Sequence, residues 1–326
     1  LKTGDILNTL TYGGLYDTQT SKVTWDGVKY GDNEKAKLGA LYVENAVDFD
    51  NGLVLTPGVR YNHYDFDGVY GKIKDNKFTY GLASEYSLTD NLTLLASATT
   101  LYKGVEMVDV LATNRVYAPD SPELKAETGI NKEVGFTYNA DKFLGADTTG
   151  FSFKVFNTQI DDYIKTVGYE MTNAGTLNLR GFESSFVYKL NKFSGLLTYA
   201  HSDTKFEDTG LSDPKEPGDS ISAGLDYKLL TNLSLSWESE FAFKQDDLAG
   251  SEYNIKNSYN VHDFAVNWKP ESIKNLTLIS GVDNIFDEAY VSHISENRSF
   301  TVSGKSVSTA DYEAGRNFKV TLAYKF

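Results

Sequence analysis

The sequence predicts an all-β protein, and within that class an antiparallel transmembrane β-barrel of about 14 strands. Three observations lead there. Hydrophobicity alternates with a period of two along almost the whole chain, and amphipathic helical patterns are nearly absent. The alternating runs are about 9–14 residues long. Strands of soluble sandwiches average about 5–6 residues, whereas a strand crossing a bilayer at a tilt of about 45° needs about 9–11 or more. The connections alternate between short and long, as periplasmic turns and extracellular loops do.

In chain order, a first strand near 5–16 leads into a long loop at 17–35. The next strand, 36–49, turns through "DNG" (50–52) into 53–64, and a loop follows at 65–76. Strand 77–87 turns through "LTD" (88–90) into 91–100, before the long loop 101–127. Strands 128–139 and 149–164 are joined by 140–148, and a loop follows at 165–176. Strand 177–189 turns through "LNKF" (190–193) into 194–202, with a loop at 203–218. Strand 219–228 sets Ile221, Ala223, Leu225 and Tyr227 against Ser222, Gly224, Asp226 and Lys228. Through "LLT" (229–231) it enters 232–245, the clearest case. There Leu233, Leu235, Trp237, Phe241 and Phe243 oppose Asn232, Ser234, Ser236, Glu238, Glu240 and Lys244. After loop 246–259, strand 260–269 (Phe264, Val266, Trp268) turns through "PESIK" (270–274) into 275–284 (Leu276, Leu278, Val282). Loop 285–315 precedes the last strand, 316–326, where Phe318, Val320, Leu322, Tyr324 and Phe326 alternate with Lys319, Thr321, Ala323 and Lys325.

The physics of the bilayer gives this pattern its meaning. In hydrocarbon every backbone amide needs a partner, and only a closed barrel supplies one with strands. The apolar rows then face lipid and the polar rows face the lumen. Tyr199, Tyr227, Trp237, Trp268 and Tyr324, near strand ends, suit interfacial girdles.

Composition narrows the function. The 326 residues include no cysteine, which excludes a disulfide scaffold, a thiolate metal site and a cysteine nucleophile. A net charge of −14 argues against a nucleic-acid partner. No run approaches the roughly 20 apolar residues of a membrane helix. The opening "LKTGDILNTLTYGG" reads as the middle of a longer chain. No Gly-x-Ser-x-Gly elbow is present, and the adjacent carboxylates Asp161–Asp162 and "HYDFD" are unremarkable in so acidic a chain. An enzyme is not expected. The acidic loops "FEDTGLSDPKEPGD" (206–219) and "KQDDLAGSE" (244–252) read as a solvated surface or as divalent-cation bridges to lipopolysaccharide phosphates.

Four motifs carry a family resemblance. They are "SPELKAETGINKEVGFTY" (121–138), "NLRGFE" within 173–190, "VDNIFDEAY" within 259–293, and "YEAGRNF" before the closing strand. In that order they resemble the C-terminal half of a TonB-dependent outer-membrane receptor, and "HDFAVNWKP" and "FDEAYVSH" place the chain nearest the ferric-enterobactin-type group. The terminal aromatic also resembles the C-terminal signal read by the barrel-assembly machinery. The resemblance implies a ferric siderophore as transported ligand, no intrinsic cofactor, TonB as partner through an N-terminal part, and outer-membrane lipid and lipopolysaccharide as surroundings. It also implies a plug domain and a barrel of 22 strands. Residues 1–326 are therefore expected to be one partial barrel domain, with the plug and first strands absent; a shortened 14-strand barrel that closes alone, acting as a passive pore, is the alternative.

If Phe326 is periplasmic, the long loops face outward. A ferric catecholate complex is anionic and aromatic, so it calls for Arg or Lys beside Tyr or Trp. The strand end "RYNHYDFD" offers Arg60, His63 and Tyr64. Loop 101–127 offers Tyr102, Lys103, Arg115 and Tyr117, and loop 285–315 offers Tyr290, His293, Arg298 and Lys305. Each of these also reads as a solvated charge or girdle tyrosine. Haem is the rival ligand, since imidazole ligates its iron. Haem receptors resembling this family place a histidine in the loop matching 101–127, and that loop has none here. His63 and His293 are the remaining candidates for haem or another metal ion; His201 and His262 read as structural. No protein metal site is expected.

Overall fold

The computed structural model describes residues 2–3, 6–25, 28–68, 71–105, 124–167, 170–245, 256–295, 298–302 and 305–326. Fourteen main strands lie where the alternation places them. They are β1 (Ile6–Trp25), β2 (Val28–Asp48), β3 (Leu53–Gly68), β4 (Gly71–Ser87), β5 (Leu92–Lys103), β6 (Glu127–Asp141), β7 (Thr148–Asp161), β8 (Leu177–Leu190), β9 (Phe193–Phe206), β10 (Ser220–Leu230), β11 (Leu233–Ala242), β12 (Tyr259–Trp268), β13 (Leu276–Asp283) and β14 (Asn317–Tyr324). They pair as one sheet in chain order, each beside its sequence neighbours, with Lys2–Thr3 added beside β1. The ladders between these strands are antiparallel, as short turns require.

The short turns show why the chain reverses there. Asp50 (φ 56°), Asn191 (φ 52°) and Asn275 (φ 65°) adopt the left-handed conformation that Asn and Asp tolerate best. Between β6 and β7 the link is one short 3-10 turn, Phe143–Gly145.

Two expected loops are instead strands. β1 and β2 continue through most of 17–35, reaching 20 and 21 residues, and β3 and β4 continue through most of 65–76. Beyond the bilayer both faces meet water or packed loops. The hydrophobic alternation therefore fades while backbone pairing persists, and a reading based on alternation ends these strands early. Two further hairpins lie inside expected loops: Ile164–Val167 with Glu170–Asn173, and Arg298–Val302 with Lys305–Thr309.

The chain comprises two compact units, residues 1–134, 156–179 and 206–209, and residues 135–155, 180–205 and 210–326. In the first unit the two sheet faces differ sharply. On β4, Phe78, Tyr80 and Leu82 are 54%, 58% and 51% exposed, a row that only lipid can cover. Thr79 between them is buried, and its face continues through Arg60 and Asn62 on β3 to Tyr42 and Glu44 on β2. The unit's hydrophobic core lies away from the short turns. Ala36, Tyr64 and Phe66, from the far ends of β2 and β3, pack with Val105, Leu124 and Ile164.

The second unit repeats the division. Leu225, Trp237 and Phe264 lie side by side across β10–β12 on one face; Gly224, Glu238 and Asp263 do so on the other. On β14, Phe318, Val320, Leu322 and Tyr324 form an exposed apolar row, while Lys319 pairs with Asp283 on the polar side.

Candidate functional site

In the first unit the polar face holds a groove of about 500 Å³ lined by residues of β2–β5, among them Tyr42, Glu44, Arg60, Asn62, Thr79 and Tyr102. The register sets Arg60 directly between Tyr42 and Thr79. Its guanidinium lies over the Tyr42 ring, 5.9 Å from the centroid. Its Nε donates to Asn62 Oδ1 at 2.8 Å. Asn62 in turn donates to Thr79 Oγ1 (3.4 Å) and the Lys77 carbonyl (3.3 Å), and Thr79 Oγ1 donates to the Arg60 carbonyl (3.4 Å). The cation is thus held in place by neutral partners, the arrangement that suits an anionic or aromatic ligand group.

The trio Arg60, His63 and Tyr64 does not form one site. Successive strand residues point to opposite faces, so His63 leaves the groove for the lipid-side face. There its Nδ1 is 2.7 Å from Asn76 Oδ1, which also accepts from the Tyr61 hydroxyl at 2.8 Å. Tyr64 shares Arg60's face but is 2% exposed and belongs to the core. Tyr102 does line the groove. Lys103 faces Glu127, 3.9 Å away. Glu127 is buried, and its Oε1 also accepts from the Ile164 amide at 2.8 Å. Lys103 therefore balances a structural carboxylate. Arg115 and Tyr117 lie outside the described residues.

In the second unit, Tyr290 stacks on Tyr259 with ring centroids 4.5 Å apart. Burial first, then the charges of Glu313, Glu240 and Asp263, push its phenol above the usual tyrosine range. His293 is not an open ligand. It is 2% exposed, with Nδ1 3.1 Å from the Pro217 carbonyl oxygen and Nε2 3.0 Å from that of Asn257. Arg298 and Lys305 begin the two strands of the small hairpin Arg298–Val302 and Lys305–Thr309. Of the remaining histidines, His201 Nδ1 lies 2.5 Å from Asp219 Oδ1, and His262 Nδ1 lies 2.8 Å from Ser239 Oγ. Among the described residues no group of three or more His, Cys, Asp or Glu could hold a metal ion.

Two of the motifs prove to be clasps. Asn284, at φ 49°, donates to the Glu288 and Ala314 carbonyls and accepts from the Glu288 amide, while its own amide donates to Asp263. Asp287 Oδ1 accepts from the Arg316 amide at 2.8 Å, and Arg316 Nε donates to the Ile285 carbonyl at 2.9 Å. A Cβ on Gly315 would stand 2.7 Å from Asp287 Oδ1, so any other residue there must displace the carboxylate that accepts from the Arg316 amide. "VDNIFDEAY" and "EAGRNF" thus knit the two ends of loop 284–316 together. Asn284, Asp287 and Arg316 were legible as motif letters, but nothing in their order showed that they bind each other.

Residues 2–285 match the model of the family described as "TonB dependent receptor-like, beta-barrel". The chain belongs to this family. The barrel is accordingly an outer-membrane one, and its relatives are transport receptors rather than enzymes. It is 25% identical over 338 residues to the ferric enterobactin receptor of Pseudomonas aeruginosa, covering 92% of this chain and 44% of that protein. It is 24% identical over 352 residues to the heme transporter BhuA of Brucella abortus, covering 99% and 50%. The solved FrpB iron transporter of Neisseria meningitidis superposes with a TM-score of 0.71 at 19% identity, covering 98% of this chain and 52% of that one. This receptor barrel spans about half the length of the curated relatives it matches.

Proposed function

We propose that this chain is the barrel part of an outer-membrane receptor that takes up a ferric siderophore, of the catecholate type, with TonB engaged through a part of the protein outside this chain. The observation that carries this reading is Arg60, poised over Tyr42 on the polar wall beside Asn62 and Thr79. A cation with an aromatic neighbour suits an anionic, ring-bearing iron chelate. The named function of the Pseudomonas aeruginosa relative supports the same ligand class. Arg115 and Arg298 remain candidate contacts in the outer loops, and the apolar rows would meet lipid and lipopolysaccharide.

Haem is the second reading, because the Brucella abortus relative is named a heme transporter. The histidines speak against it. Both nitrogens of His293 face backbone carbonyls, and His63 stands on the lipid-side face, bonded to Asn76.

The test uses the full-length receptor in detergent. Ferric catecholate is expected to quench intrinsic fluorescence saturably, and haem to give no Soret shift. Arg60→Ala is expected to weaken the catecholate Kd about ten-fold, roughly 1.4 kcal/mol. Arg115→Ala and Arg298→Ala should weaken it in the same direction. Unchanged affinity in all three variants, or haem binding in place of catecholate, overturns the proposal.

A further inference from the structure

We propose that the cavity between the start of β12 and loop 284–316 is a pocket for a single hydroxylated aromatic ring, and that His293 is the positioning residue that keeps it formed. This inference rests on the receptor reading above and specifies what the receptor grips at its rim. The cavity measures about 210 Å³, and its walls include Lys256, Tyr259, Tyr290, Ser292, Ser295 and Tyr312. Pockets for whole drug-sized ligands run about 300–1,000 Å³. This one accommodates one ring of a larger ligand and excludes the rest.

Its chemistry selects the ring. The Tyr259–Tyr290 pair presents an aromatic wall, and Tyr312, 69% exposed, stands at the surface beside it. Aromatic pairs prefer offset or edge-on contact at centroid distances of about 4.5–7 Å. The Ser292 and Ser295 hydroxyls and the Lys256 ammonium supply donors for ring oxygens. Lys256 and Glu288 place one charge of each sign in the walls, so neither a bare cation nor a polyanion matches the pocket. The Tyr290 phenol, protonated at neutral pH like any tyrosine, is a further donor.

His293 holds these walls in register. Its ring meets the Pro217 and Asn257 carbonyls, from two segments distant in sequence. Its own carbonyl accepts from Lys256 Nζ, and its ring stands edge-on to Tyr259, with centroids 5.3 Å apart. The Lys256 backbone is fixed in turn by two 2.9 Å hydrogen bonds with Gln245. One buried imidazole therefore spans three segments, two of which contribute pocket walls.

The experiment titrates the full-length receptor in detergent with iron-free 2,3-dihydroxybenzoate, with its iron(III) complex, and with ring-free iron(III) citrate. Tyr312→Ala and Ser295→Ala are expected to weaken both aromatic probes, Tyr312→Ala by about ten-fold, and to leave citrate unchanged. Equal affinity of wild type and both variants for the aromatic probes overturns the pocket, as does a wild type that binds neither. A wild type that binds the iron-free ring at this pocket, without binding any ferric chelate, supports the pocket and refutes the receptor reading. His293→Ala should weaken the aromatic probes by a similar factor and speed amide exchange at 256–259 and 292–295, with partial rescue by His293→Gln. Lower thermal stability with unchanged ring affinity overturns the positioning role.

Discussion

Asn173 binds two segments, at Lys125 and Asp162, through one side chain. It accepts from the Lys125 amide at 2.9 Å and donates to the Lys125 carbonyl at 3.0 Å and the Asp162 carbonyl at 2.6 Å. Together with the Glu127–Ile164 bond, it pins the hairpin 164–173 to the segment entering β6. The bonds at Lys125 are exposed and the one to Asp162 half-buried, so each contributes about 0.5–1.5 kcal/mol. Asn173→Ala is therefore expected to speed amide exchange at Lys125 and along 164–173 at least ten-fold, read by mass spectrometry, while exchange in β2 and β3 stays unchanged. Arg60 and His63 give the complementary lesson. Both were visible as candidates, and the period of two already implied opposite faces for them. What the order of letters lacked was which face carried the groove and that Tyr64 packs inward, because packing against Val105 and Ile164 joins residues far apart in the chain.

The strands themselves can be tested through their two faces. Leu82 lies on the exposed apolar row of β4, and Ser97 on β5 belongs to the opposite, polar face. Charge placed toward lipid near the bilayer midplane costs about 2–4 kcal/mol, falling to about 0–1 near the interfaces. Leu82→Arg should lower the denaturant midpoint of the full-length receptor accordingly, and Ser97→Arg should leave it nearly unchanged. Equal effects would refute the assignment of faces. Close strand approach makes a second test. A Cβ on Gly129 of β6 would stand 2.0 Å from the Gln159 carbonyl oxygen of β7. Gly129→Ala must shift a backbone or fail to pair. It should destabilise by about 1–3 kcal/mol, seen as earlier loss of the fast-migrating folded band on heating in detergent. Strand existence was legible because lipid imposes alternation on every crossing. The outer extensions of β1–β4 were not, because no lipid constrains them.

At the level of the whole chain, the pairing order runs from β1 to β14, and among the described residues each of these two strands has one main-strand neighbour. Unpaired strand edges are costly in hydrocarbon. The chain spans about half of its curated relatives. A partial barrel, as we propose this chain to be, is expected to aggregate when expressed alone, and co-expression with the strands that complete it should restore a folded, heat-modifiable species. A folded, protease-resistant outer-membrane form of the chain alone would contradict this.

Membrane crossing, strand number, the short turns, and family membership were all readable from the letters. Each is local: it depends on a two-residue period, on run length, or on short motifs. The groove around Arg60, the burial of Tyr64 and His293, and the clasp of Asn284 and Asp287 on Arg316 required the fold. Those contacts join segments tens of residues apart, and strand register decides which side chains meet.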